Sequence, residues 1–161
     1  RDEKKQEDMR IELNSNKVKF YNGDVRNFDS INAAVAGVDY IFHAAALKQV
    51  PSCEYFPYEA VKTNIIGSQN VLDSSIKNNI KNVVMLSTDK AVMPINAMGI
   101  SKSMMEKLTF TYGFNQNSHI NTVFNVTRYG NVMGSRGSVI PFFMAKRKDM
   151  MQWFANWCER K

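Results

Sequence analysis

Short apolar runs alternate with stretches of helical spacing from residue 18 to residue 131, and that alternation admits few architectures. Residues 18–21 form an apolar run ended by the turn pair Asn22-Gly23 and are expected to be a strand. Residues 30–35 fit a short helix closed by Gly37. A second strand is expected over 38–42. Pro57 then opens a long helical stretch to about Asn78, proline being suited to the first helical turn. Ala60, Val61, Ile65, Val71 and Leu72 fall near helical spacing within it. There follow a strand over 83–86, a loop through Pro94, a helix from about 97 to 115, and a strand over 122–126 that leads into Arg128-Tyr129-Gly130-Asn131. Alternation of this kind implies right-handed crossovers and a parallel sheet, so the expected fold class is α/β with a doubly wound sheet.

With 161 residues, 44% of them apolar, the chain is long enough for one domain with a real core, and its composition is that of a globular protein. No apolar run approaches the roughly 20 residues that span a bilayer. The opening Arg1-Asp2-Glu3-Lys4-Lys5-Gln6-Glu7-Asp8 is charged and unlike a signal peptide. Cys53 and Cys158 match no metal spacing, and a reduced, cytoplasmic setting is expected. The net charge of +6 is uneven: residues 145–161 hold five cations and two anions, half of the excess. Aromatic residues do not interleave with the basic ones as in a single-strand platform, so an acidic small-molecule ligand is expected before a nucleic acid.

The densest chemistry lies after the strand over 83–86. Ser87-Thr88-Asp89-Lys90 places hydroxyls, a carboxylate and an ammonium side by side at a strand's carboxyl end, where open α/β sheets bind ligands. Met98-Gly99-Ile100-Ser101-Lys102 follows, with Lys102 on the same helix face as Met98. The plainer alternative is a solvated Asp-Lys pair in a loop and a surface lysine on a helix.

A doubly wound nucleotide fold starts with a strand, a Gly-rich turn and a helix whose N-terminus holds pyrophosphate. The sequence has no Gly-x-Gly-x-x-Gly or close variant. At the other end, residues 150–161 carry both tryptophans and suit no element of the preceding pattern. A terminal amphipathic helix is one reading; a truncated or frame-shifted end is the favoured one. The expected division is a partial dinucleotide-binding domain over 1–149 and an atypical tail over 150–161, without the first β-α unit and without a C-terminal substrate domain.

Several stretches together resemble a known family: Arg1-Asp2-Glu3-Lys4-Lys5-Gln6, Gly23-Asp24-Val25-Arg26, His43-Ala44-Ala45-Ala46-Leu47-Lys48-Gln49-Val50-Pro51, Lys62-Thr63-Asn64, Ser87-Thr88-Asp89-Lys90, Pro94-Ile95-Asn96-Ala97-Met98-Gly99, Arg128-Tyr129-Gly130-Asn131 and the run from Gly134 to Pro141. From residue 1 to about Phe143 the chain resembles the extended short-chain dehydrogenase/reductase superfamily. Within it, the chain is most similar to the inverting UDP-N-acetylglucosamine 4,6-dehydratases of capsule, O-antigen and flagellin sugar pathways. The resemblance implies a Rossmann-like fold, a UDP-N-acetylglucosamine substrate, a bound nicotinamide cofactor, and a homo-oligomer when complete. It implies oxidation at carbon 4, loss of water across carbons 5 and 6, and return of the hydride to carbon 6.

By the same resemblance, Lys90 is the base on the carbon-5 proton and Asp89 the acid for the departing hydroxyl. Loss of the Lys90 proton near neutral pH is expected from neighbouring cations and buried apolar surface. Thr88 or Ser87 would donate to the 4-hydroxyl, and Lys102 would grip the nicotinamide ribose. Met98 is the departure, because most of the superfamily has tyrosine there and a thioether exchanges no proton. Cofactor contacts are implied for Arg1, Asp2, Lys5, Asp24, Val25, Ala44, Ala45, Ala46, Lys48, Asn64, Ser87, Lys102 and Tyr129. Arg1 with the nearby lysines favours NADP, while Asp2 leaves room for NAD. Lys48, Gln49, Asn131 and Arg136 would face the substrate. His43 is read as a packed strand-end histidine, and no metal site is expected. A nucleotide-sugar 4-epimerase and a non-catalytic fragment are the alternative functions.

Overall fold

A computed structural model describes residues 3–114, 121–130, 132 and 139–159. The chain divides into two compact units, Arg1–Arg128 and Tyr129–Lys161.

In the first unit, helix α1 (Glu3–Leu13) buries none of its side chains, its charges lying on every face. It is held to the following segment by polar contacts: Gln6 donates to the Tyr21 carbonyl at 3.0 Å, and Asn22 donates to Glu3 at 2.8 Å. The Arg10 guanidinium also lies 5.2 Å from the centre of the Phe20 ring. Residues 18–21 are not a strand. An apolar run becomes one only against a ladder neighbour, and among the described residues this segment has none.

Helix α2 (Phe28–Val35) begins where the Asn27 side chain accepts from the Ser30 N–H at 3.0 Å, and Gly37 follows it at a φ of +76°, a conformation natural to glycine. Strand β1 (Tyr40–His43) pairs in parallel with β2 (Asn82–Thr88), Tyr40 opposite Asn82 and His43 opposite Met85. Strand β3 (Val123–Tyr129) lies on the other side of β2, completing a parallel sheet of order β1-β2-β3. The long crossover from β1 to β2 consists of α3 (Val50–Tyr55), α4 (Pro57–Ala60), a π-helical turn (Val61–Ile66) and α5 (Gly67–Lys77). Helix α6 (Ala97–Phe114) makes the crossover from β2 to β3.

Alternation along β2 sends Val83, Met85 and Ser87 to the buried face. Val83 and Met85 join Val71, Leu72, Ile80 and Met105 in the main core, with Ile31, Val35, Ile41, Leu108, Tyr112, Phe124 and Val126 packed around it. A second cluster, Cys53, Ala60 and Met98, seats the first turn of α6 against α3 and α4.

In the second unit, α7 (Val139–Glu159) runs unbroken through residues 149 and 150. Residues 150–159 therefore continue a helix begun earlier. No helix among the described residues is long and apolar enough to cross a membrane.

Candidate functional site

β2 ends in a capped turn. Thr88 Oγ1 accepts from the Lys90 N–H at 3.4 Å and donates to Asp89 Oδ1 at 2.9 Å, while Lys90 Nζ donates to the same carboxylate oxygen at 3.2 Å. The Thr88 hydroxyl, and then the Lys90 ammonium, hold the Asp89 carboxyl below the usual carboxylate range. Asp89 and Lys90 side chains are 51% and 42% exposed. Lys90 therefore sits beside an anion at the surface and not, as its expected role suggested, among cations and buried apolar groups. Ser87, one residue earlier, points inward. Its Oγ is buried without a bonded partner among the described residues, though near enough to the Glu106 carboxylate to help keep it ionised.

The N-terminus of α6 packs on this turn. Glu54 of α3 accepts from the Ala97 N–H at 2.6 Å, and Asn96 accepts from the Gly99 N–H at 2.8 Å. Gly99 lies so close to the Lys90 carbonyl that only a residue without a β-carbon fits. Met98 is buried against Cys53 and Ala60 and fills space. Lys102 is buried too, its Nζ donating to the Leu86 carbonyl at 2.7 Å and touching the Met105 sulfur at 3.6 Å. Burial brings the Lys102 ammonium down to about 8, against a raising influence from Glu106. Glu106 in turn is gripped by both arms of Arg128, at 2.9 and 2.7 Å.

His43, at the end of β1, is buried, and its Nε2 lies 3.2 Å from Ser68 Oγ. The Ser68 proton is already given to the Asn64 carbonyl at 2.8 Å, so His43 must be the donor, with its proton on Nε2. Burial, and then the Lys102 charge, lower His43 to about 4.

Asn64, in the π-helical turn, has every polar hydrogen and its oxygen engaged. Oδ1 accepts from the Leu47 N–H at 2.8 Å, and Nδ2 donates to the Leu47 carbonyl and to Ser101 Oγ, both at 2.9 Å. Fully buried, its amide is a clamp on the loop after β1, with both amide hydrogens spent inside the fold. The clamped loop carries Ala44 and Ala45, both exposed, Ala46, half-buried, and the exposed Lys48 and Gln49.

Asp24 is braced by Arg26, whose Nε meets both carboxylate oxygens at 3.1 Å and whose Nη2 meets one at 2.8 Å; Arg26 also reaches Glu59 at 3.1 Å. Val25 packs on Gly67 and accepts at its carbonyl from Asn70 at 2.8 Å. Lys5 is exposed on α1. Tyr129 ends β3, in the second unit. Arg1, Asp2, Asn131 and Arg136 lie outside the described residues. The structure thus brings Ser87, Thr88, Asp89, Lys90, Met98 and Lys102 together. Glu54, Ser68, Ser101, Glu106 and Arg26 have no role assigned from the sequence; Arg26 stands in a stretch that carries the resemblance, and Glu106 has i,i+4 spacing from Lys102.

A family model described as polysaccharide biosynthesis protein matches residues 1–151. The chain belongs to this family. Among curated proteins, this family member is similar to UDP-glucose 4-epimerase of Rickettsia bellii (strain RML369-C), 63% identical over 148 residues, covering 92% of the chain and 43% of the relative. Among solved structures it is similar to Pen from Bacillus thuringiensis, with a TM-score of 0.86 at 42% identity over 92% of this chain and 45% of that one. It is also similar to UDP-glucose 4-epimerase from Thermotoga maritima with UDP-glucose, with a TM-score of 0.67 at 27% identity over 77% and 45%. These likenesses make the α/β sheet Rossmann-like. The chain spans 43% of the length of the curated relative it matches.

Proposed function

We propose that this chain is part of a nicotinamide-dependent nucleotide-sugar enzyme that oxidises carbon 4 of UDP-N-acetylglucosamine and eliminates water across carbons 5 and 6, with inversion at carbon 5. The observation that carries the elimination step is the 3.2 Å contact between Lys90 Nζ and Asp89 Oδ1. One proton crossing that contact turns an ammonium and a carboxylate into an amine and a carboxylic acid. Bound sugar excludes water from this surface turn, and desolvation favours the neutral pair. The amine takes the carbon-5 proton, acidified by the neighbouring ketone; the acid gives its proton to the departing carbon-6 oxygen. The carbon–oxygen bond breaks, water leaves, and Lys90 and Asp89 are again an ion pair. Thr88, already donating to Asp89, orients the carboxyl and lies beside the 4-oxygen in this reading.

The residues present fit a dinucleotide. Ala44 and Ala45 leave an open shelf of methyl groups at the end of β1, and the Lys102 ammonium keeps one N–H donor beyond those spent on the Leu86 carbonyl and the Met105 sulfur. A nicotinamide bound there would accept a hydride from carbon 4 and later return it to carbon 6. Lys102 would hold its ribose, Asp24 and Val25 its adenine end, and NADP is the proposed form. The family description and the UDP-glucose in the Thermotoga maritima structure support a nucleotide-sugar substrate for glycan synthesis.

A second reading, 4-epimerisation, is favoured by the name of the 63%-identical Rickettsia relative and has no need of the Asp89–Lys90 pair. Proton NMR of the full-length protein with UDP-N-acetylglucosamine in deuterated water decides between them. A 4-keto-6-deoxy product carrying deuterium at carbon 5 supports the dehydratase. A C4 epimer with no deuterium at carbon 5 overturns it in favour of the epimerase.

A further inference from the structure

Lys102 is a buried cation that makes no ion pair within bonding distance among the described residues; its nearest partner is a carbonyl. An ammonium in such a place is costly unless a counter-charge lies close by. One helical turn onward stands Glu106, itself buried (4% exposed), on the same face of α6. Its carboxylate is locked by the bidentate grip of Arg128, which reaches in from β3 with its own side chain 48% exposed.

The other charged and titratable groups around Lys102 do not supply that counter-charge. His43, from β1, is neutral because burial lowers it to about 4. Asp89 and Lys90, on the turn packed against α6, neutralise each other at 3.2 Å. Leu86 of β2 and Met105 of α6 offer only a carbonyl and a thioether.

We propose that Glu106, fixed by Arg128, is a positioning residue whose buried negative charge keeps Lys102 cationic beneath the carboxyl ends of β1 and β2. Arg128 then does two opposing things. It holds Glu106 ionised and in place, and it draws off part of the field that Glu106 exerts on Lys102.

This arrangement makes a prediction of sign that a scaffolding role does not. In Glu106→Gln the counter-charge is gone and Lys102 loses its proton more readily. In Arg128→Met a competing cation is gone, Glu106 acts on Lys102 undiluted, and Lys102 holds its proton more tightly. The measurement is the titration of lysine side chains by carbon NMR in the full-length protein labelled at lysine Cε, with Lys102→Arg identifying the Lys102 signal. In the parent protein the Lys102 midpoint is expected near 8. Proton affinity should fall about tenfold in Glu106→Gln and rise in Arg128→Met. Shifts in the same direction, or no shift in either, overturn the proposal. Should Glu106→Gln fail to fold, Arg128→Met alone decides: a rise supports the pair, and a fall or no change refutes it. The titration needs neither cofactor nor sugar, so its outcome is separate from that of the proposed chemistry.

Discussion

A β-carbon placed on Gly99 would lie 2.5 Å from the carbonyl oxygen of Lys90, well inside van der Waals contact. The first turn of α6 and the Asp89–Lys90 turn are thus in backbone contact, and the close approach is possible only because residue 99 has no side chain. Gly99→Ala should force the two apart. Full-length Gly99→Ala protein should fold, with a stability loss of about 1–3 kcal/mol in urea melts, and turn over more than about tenfold slower, because displacement of about 1 Å is costly in a proton-transfer site. Unchanged kcat in this variant would mean that the turn does not handle protons.

Lys90→Ala and Asp89→Asn each destroy the one-proton exchange between ammonium and carboxylate. Both should lower elimination by about 100- to 10,000-fold while cofactor affinity stays near that of the parent. Solvent deuterium entering carbon 5 of the sugar is the direct readout. Exchange at the parent rate in Lys90→Ala would exclude Lys90 as the base.

His43 gives a stability prediction with a definite sign. Its ordinary value of 6.5 is lowered to about 4 in the fold, so the unfolded chain takes up the proton first as pH falls. Stability from this group is fully present above pH 6.5 and is lost as pH drops towards 4, a loss on the order of 3 kcal/mol. Urea melts of the parent and His43→Asn between pH 7 and pH 4 should show a shallower decline in the variant. Parallel declines would place the acid sensitivity elsewhere.

Lys102 works in the opposite range. Its ordinary 10.5 falls to about 8, so the penalty for burying the ammonium is fully present below pH 8 and disappears as pH rises towards 10.5. Lys102→Met removes that penalty, on the order of 3 kcal/mol, and should melt higher than the parent at pH 7. The gap should narrow steadily between pH 8 and pH 10.5. Turnover should be lost in the same variant, since the cation that would hold the cofactor is gone. A variant less stable than the parent at pH 7 would show that the Leu86 hydrogen bond outweighs the cost of burial.

The parallel sheet, β2, α6 and the chemical turn after Ser87 were legible because apolar periodicity and a polar strand end are local signals. Helix α1 was not, since it has no apolar face to leave a period in the sequence. Helix α3 was missed because Pro51 sits in its first turn, where proline opens a helix as readily as it marks a loop. The π-helical turn was read as plain helix, its wider winding leaving no trace in a 3.6-residue pattern. That turn is what aims Asn64 at Leu47 and Ser101, so the residue's clamping role was hidden with it. The Glu106–Arg128 pair joins a helix to a strand 22 residues later, a meeting only the fold reveals.

Methionine at position 98 raises the sharpest question about activity. If tyrosine were the sole group able to take the 4-hydroxyl proton, this chain would belong to a protein that cannot oxidise its sugar. The surroundings point the other way. Met98 is buried with Cys53 and Ala60 and completes a packed cluster that seats the start of α6, so the thioether has a structural task of its own. The proton groups stand apart from it: Thr88, Asp89 and Lys90 form a hydrogen-bonded chain within which a hydroxyl proton can pass from Thr88 to the carboxylate. Met98→Ala should therefore cost stability, about 2–5 kcal/mol for an emptied core position, and reduce kcat only modestly at temperatures where the variant is folded. Thr88→Val should do the reverse, leaving the melt nearly unchanged and slowing oxidation severely. The decisive measurement is the absorbance transient of reduced nicotinamide on mixing full-length enzyme with UDP-N-acetylglucosamine. A transient in the parent that persists in Met98→Ala and vanishes in Thr88→Val is expected; no transient in a folded parent enzyme would make Met98 the mark of a lost activity.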